Sequence, residues 1–134
     1  MNLVIKKFNV KINMTTIELL EKILNNINNI GGVEASAVAS RDGLLICSTI
    51  SKKQPAETFV AMSATMMGAA ETATTELGKG IPERIIVESK AGKIIGTGAG
   101  AKALLLVMTK PDAGLGLVLI EMTKAAEQIK NILG

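Results

Sequence analysis

Residues 32–46 read GVEASAVASRDGLLI, and the architecture of the chain turns on this stretch. Val33, Ala35, Ala37 and Ala39 alternate with Glu34, Ser36 and Val38, which is the two-residue period of a strand. Ser40-Arg41-Asp42-Gly43 follows, and Asp-Gly signals a tight turn because both residues tolerate positive φ. Leu44 to Thr49 resumes as a second strand. The segment predicts an antiparallel hairpin.

Upstream of the hairpin, Ile17, Leu20, Ile23 or Leu24, Ile27 and Ile30 recur at helical spacing through residues 16–30. Thr15 and Glu18 fit a capping box at the start, and Gly31-Gly32 supplies a stop. Residues 3–12, LVIKKFNVKI, are rich in strand formers. A short extra strand, a loose arm and a helix lead-in all fit them. Residues 1–14 are therefore read as an N-terminal arm or extra strand, and residues 15–134 as one domain.

Downstream, a linker ending in Pro55 leads into one long helix from Ala56 to Leu77. Phe59, Met62 or Ser63, Met66, Ala70, Ala73 and Leu77 mark one face, while Val60, Ala64 and Met67 widen it. Many of its side chains are small, which lets the backbone approach a neighbour closely. Gly78, Gly80 and Pro82 close the helix. Three strands follow at Arg84 to Glu88, Lys93 to Thr97 and Ala101 to Thr109, and a last helix runs from Leu115 to Leu133. The order helix-strand-strand-helix-strand-strand-strand-helix implies an α+β fold with a five-stranded, mostly antiparallel sheet. Three helices are too many for one face, so a three-layer α/β/α sandwich is expected. The run Leu104 to Met108 suits a strand covered on both sides.

Composition narrows the chemistry. The 134 residues include two Phe, one Cys and no His, Trp or Tyr. That removes a histidine base, an imidazole metal ligand, a cysteine zinc cluster, an internal disulfide and an aromatic platform for bases. No catalytic residue, metal or cofactor is expected. The net charge of +3 lies in Lys6, Lys7 and Lys11, because residues 15–134 carry twelve charges of each sign. A balanced body argues against nucleic-acid binding. The start lacks signal-peptide organisation and no apolar stretch is long enough to enter a bilayer as a span, so a cytoplasmic protein is expected. Cys47 reads as a buried thiol.

Gly96-Thr97-Gly98-Ala99-Gly100 resembles a phosphate loop in composition only, because it lies between two strands and lacks a following lysine. A structural turn is the better reading. Arg41 and Asp42, in the exposed hairpin turn, are candidate partner contacts. Glu71 and Glu76 are five residues apart and share no helical stripe, which disfavours a catalytic carboxylate pair. Two features point to self-association: the small-residue helix 56–77 is apolar beyond one stripe, and Arg84 to Glu88 is a short apolar strand at a sheet edge. A two-fold dimer would pair those edges. The candidate dimer surface comprises Val60, Ala64, Met67 and Glu71 on the helix, with Arg84, Ile85, Ile86, Val87 and Glu88 on the strand.

The hairpin 32–46, the helix segment Phe59 to Glu71, the strand Ala103 to Met108 and the helix start Leu115-Gly116-Leu117-Val118 together resemble the roadblock/LC7 family (dynein light chain roadblock, MglB-like), particularly its small prokaryotic and archaeal members. The resemblance covers residues 16–133. It implies the second helix on one sheet face and the other two on the opposite face. It also implies homo- or heterodimers that pair third strands and pack second helices, and a role as scaffold or regulator of a small Ras-like GTPase. The expected partners are a second copy, such a GTPase or another roadblock-domain protein. A structural subunit without effect on nucleotide turnover is the main alternative. A small-ligand sensor of profilin- or PAS-like kind, with a pocket near Met62, Met66 and Leu106, is a third.

Overall fold

A computed structural model of the protein describes the backbone of residues 2–5 and 10–134, with side chains at residues 13 and 15–134. β1 (Asn2–Ile5) and β2 (Val10–Asn13) pair antiparallel, Leu3 opposite Ile12, as a separate two-stranded sheet. The N-terminal stretch thus forms two strands; Lys6 and Lys7 lie outside the described residues.

α1 (Met14–Asn28) begins directly after β2, and the Asn13 side chain caps it by accepting from the Thr16 N–H at 2.8 Å. Asn13, not the expected Thr15–Glu18 box, therefore satisfies an orphan donor, because the strand ends one residue ahead of the helix. The helix also stops before Gly31-Gly32. Gly32 has φ +90°, and a Cβ added there would meet Cβ of Ala113 at 2.6 Å. That glycine is required by close packing of two loops.

β3 (Val33–Ser40) and β4 (Leu45–Ser48) form the expected hairpin, and α2 (Ala56–Glu76) follows. β5 (Arg84–Ser89), β6 (Gly92–Gly98) and β7 (Ala103–Thr109) make the meander, and α3 (Leu115–Leu133) ends the chain. The five-stranded sheet has the order β4-β3-β7-β6-β5 with every neighbouring pair antiparallel. β4 and β5 are its two edges.

α1 and α3 cover one face. Leu20, Leu24, Val118, Met122 and Ile129 pack on Val38, Ile95, Leu105 and Val107, and all nine are at most 2% exposed. Burial on this scale is the main favourable term in the fold. The α2 face is thinner, with Ala37, Ala39, Val60 and Leu106 at its centre and Leu45, Ile50 and Phe59 around them. α2 buries Val60, Ser63 and Met67, so of the expected alternatives Met62 or Ser63 the inward one is Ser63, and the inward face is rotated toward Val60 and Met67 and away from Ala73 and Leu77, which are exposed. In a helix of Ala, Gly, Ser, Thr and Met, hydrophobicity varies too little around the axis to orient it. Close approach does so instead: Gly43, at φ +88°, brings the hairpin turn onto α2, and a Cβ there would lie 3.1 Å from the Ala61 Cα and 3.3 Å from the Ala64 Cβ.

Candidate interaction surface

Turn chemistry places Arg41 at the top of the hairpin, and strand parity points it toward α2. Its Nη1 donates to Glu71 Oε1 at 2.8 Å and its Nη2 donates to the Gly100 carbonyl at 2.8 Å. Three elements separated along the chain are tied by one guanidinium. Of the expected partner contacts, Asp42 is exposed at the turn, whereas Arg41 is half-buried and bound within its own chain. Glu71, expected on the dimer surface, is Arg41's partner.

The glycine run now has a physical reason. Gly98 lies beneath Arg41, and a Cβ there would sit 2.6 Å from Nη2. Gly96 makes room for Ile85 and Leu106 side chains, each 3.2 Å from the position of a Cβ. Gly100 turns the chain at φ +88°. Contrary to the expected turn, Gly96 to Gly98 are the paired end of β6, and of the run only Ala99 and Gly100 lie in the connection to β7. Thr97 Oγ1 donates to the Glu83 carbonyl at 2.9 Å.

Cys47 is buried, and its thiol is pushed up from 9.0 to about 11 by burial and by the negative charge of Glu21, against a lowering contact from the Ser48 backbone. A neutral thiol at ordinary pH is a poor nucleophile. Among the described residues no three His, Cys, Asp or Glu gather as a metal site, and no helix is long and apolar enough to cross a membrane. Met62 is exposed while Leu106 is sealed in the core, so the expected sensor pocket does not form around them. A hollow of about 550 Å³ is an open groove between β4 and the start of α2, lined by Cys47, Ile50, Pro55 and Thr58.

What remains open is a surface. On α2, Val60 and Met67 belong to the chain's own core at 0% and 2% exposure, which corrects their placement on a dimer surface; Ala64 is half-buried against Gly43. The solvent side is instead Met62, Thr65, Ala69 and Thr72. Thr65 and Thr72 turn their hydroxyls back to the carbonyls of Ala61 and Gly68, so neither asks for an outside partner. No charged residue occurs between Glu57 and Glu71. A solvent-facing helix side normally carries charge, and that uncharged run was the signal for Met62, Thr65 and Ala69.

β5 continues the open region. Ile86 and Val87 are 38% and 39% exposed, Leu77 and Ile81 before the strand are 76% and 78% exposed, and α2 packs beside β5. Arg84 and Ile85 are half-buried and Glu88 is exposed. Apolar exposure at an unpaired edge is a feature that folded proteins otherwise avoid.

Comparison with known proteins agrees with this arrangement. The Roadblock/LC7 domain model matches residues 19–109. The Methanocaldococcus jannaschii protein MJ1340 is 36% identical over 112 residues, spanning 84% of this chain and 97% of that one. Among solved structures, the gliding protein MglB of Thermus thermophilus superposes with TM-score 0.82 at 19% identity, covering 91% of this chain and 93% of its own. A Roadblock/LC7 domain from Streptomyces avermitilis gives TM-score 0.77 at 16% identity, covering 82% and 93%. The antiparallel sheet with α2 alone on one face and α1 and α3 on the other is the shared core, and the chain belongs to the Roadblock/LC7 family.

Proposed function

We propose that this chain is a dimeric regulator or scaffold for a small Ras-like GTPase and has no hydrolytic chemistry of its own. The observation that carries the dimer is an uncharged solvent side on α2 together with an exposed apolar edge strand, β5, against which α2 packs. Pairing two copies there would extend the sheet and cover both surfaces at once. A fold relative, MglB, is described in a tetrameric arrangement, which favours assembly in this fold. The GTPase is inferred from what membership of the family implies. Regulation would act by positioning the GTPase's own groups, because the Arg41 guanidinium is bound to Glu71 and Gly100 and is poorly placed to reach a transferring phosphate.

The test has two arms. Sedimentation should give about twice the 14.0 kDa protomer mass. Affinity capture with GTP or GDP added should retain a small GTPase in a nucleotide-dependent manner. Capture that ignores nucleotide, with unchanged turnover, would make the chain a structural subunit. Loss of stimulation in Arg41→Ala with binding and fold intact would give Arg41 the direct role denied to it here.

A further inference from the structure

β5 is an edge strand whose sequence is complementary to itself. It reads Arg84-Ile85-Ile86-Val87-Glu88: a cation, three apolar residues and an anion. One side pairs with β6, from Arg84 opposite Thr97 to Ser89 opposite Gly92, and the other side is open among the described residues. Ile85 lies on the α2 face with Gly96 and Leu106, so Val87 shares that face. Arg84, Ile86 and Glu88 lie on the opposite face, where Ile86 stands across from Ile95.

A second copy adding antiparallel to this edge must keep faces matched, because side chains alternate with a period of two. A two-fold axis must then pass through a residue position. Three centres keep most of the strand paired: Ile85, Ile86 and Val87. Centring on Ile85 puts Arg84 against Ile86 and Glu88 against Pro82, which has no N–H. Centring on Val87 puts Arg84 against Lys90, a like charge, and Glu88 against Ile86. Centring on Ile86 puts Arg84 against Glu88 of the second copy, twice by symmetry, with Ile85 against Val87 and Ile86 against itself. Among the described residues neither charge is committed to a close ion pair. Arg84 has only a 4.0 Å approach to the adjacent Glu83, and Glu88 makes no ion pair among the described residues.

We propose that β5 selects a second copy of this chain in one register, centred on Ile86 and held by two Arg84–Glu88 pairs between the copies. The proposal rests on the dimer reading above and adds its partner and its alignment. A different chain lacking this spacing of cation and anion would leave one charge against an apolar or like-charged neighbour. The edge therefore discriminates in favour of its own kind.

The test is charge exchange followed by sedimentation across a dilution series. Arg84→Glu and Glu88→Arg each convert two attractions into two repulsions, and each should weaken the dimer roughly tenfold or more. The doubly exchanged variant, Arg84→Glu with Glu88→Arg, should recover the parental dissociation constant to within about threefold. An equimolar mixture of the two single variants should form a heterodimer. Circular dichroism melts of the single variants at monomeric concentration should match the parent. Single variants that dimerise like the parent, or a double variant as weak as the singles, would overturn the register while leaving the dimer intact. A parental chain that stays monomeric to about 100 μM would overturn the dimer itself and the register with it.

Discussion

Arg41 Nη1 and Glu71 Oε1 stand 2.8 Å apart, thirty residues apart in sequence, and join the β3–β4 turn to the C-terminal third of α2. Both side chains are about one-third exposed, at 33% and 35%. Solvent therefore screens the ion pair, and its importance lies more in fixing where α2 sits than in its energy. Arg41→Ala should lower unfolding free energy by about 1 kcal/mol, counting the lost charged hydrogen bonds against that screening. Urea denaturation checks this as a fall in midpoint at unchanged slope.

Gly98 and Arg41 should be energetically coupled. Gly98→Ala places a Cβ 2.6 Å from Nη2 of Arg41, a clash with the movable end of a long side chain. The substitution should destabilise the parent, and the cost should shrink once Arg41 is Ala. A double-mutant cycle that shows additive effects would refute the contact as the reason for this glycine.

Gly43→Ala should be more damaging, by about 1–3 kcal/mol. The residue sits at φ +88°, and the neighbour it would strike is the backbone of Ala61, which cannot rotate away. A thermal melt is sufficient to measure it.

Met62 and Leu105 separate surface from core. Leu105→Ala empties a fully buried site between sheet and helices and should cost about 2–5 kcal/mol. Met62→Lys alters a residue 55% exposed, so protomer stability should change by less than about 0.5 kcal/mol. The same change puts a cation on α2's uncharged side and should weaken self-association in sedimentation. Unaltered association would remove α2 from the dimer surface.

Cys47 makes stability fall at high pH. Its folded-state pKa is about 11 against an ordinary 9.0, so between those values the unfolded chain has lost a proton that the native chain retains. Unfolding free energy should therefore be insensitive to this group below about pH 9 and decline as pH rises toward 11. Comparing Cys47→Ala with the parent across that window isolates the contribution. A thiol reagent should label Cys47 far more slowly in the folded than in the unfolded chain.

The hairpin, the meander and the three helices were legible because each is announced by local rules. Alternation marks β3, Asp42-Gly43 marks the turn, and the 3.6-residue spacing in α1 and α3 marks their buried faces. The face of α2 was not legible, because Val60, Met62 and Met66 are nearly equivalent by hydrophobicity. Tertiary contacts, among them the approach of Gly43 to Ala61 and Ala64 and the Arg41–Glu71 pair, turn Val60, Ser63 and Met67 inward. The start of α1 was misplaced for a related reason. Thr15–Glu18 has capping-box spacing, yet the cap is set by where β2 ends, and Asn13 occupies that junction.

Local periodicity and turn chemistry depend on residues within about one element of one another, so the amino-acid sequence alone determined the order of elements from α1 onward, the antiparallel meander and the absence of histidine and zinc-cluster chemistry, but not the β1–β2 pair. Which groups are free depends on contacts between distant segments. Arg41 looks available in its turn until Glu71 and Gly100 arrive to bind it, and Val60 and Met67 look available on α2 until the sheet covers them. Burial and hydrogen bonding across the fold made those decisions. They left Met62, Thr65, Ala69 and the β5 edge facing outward.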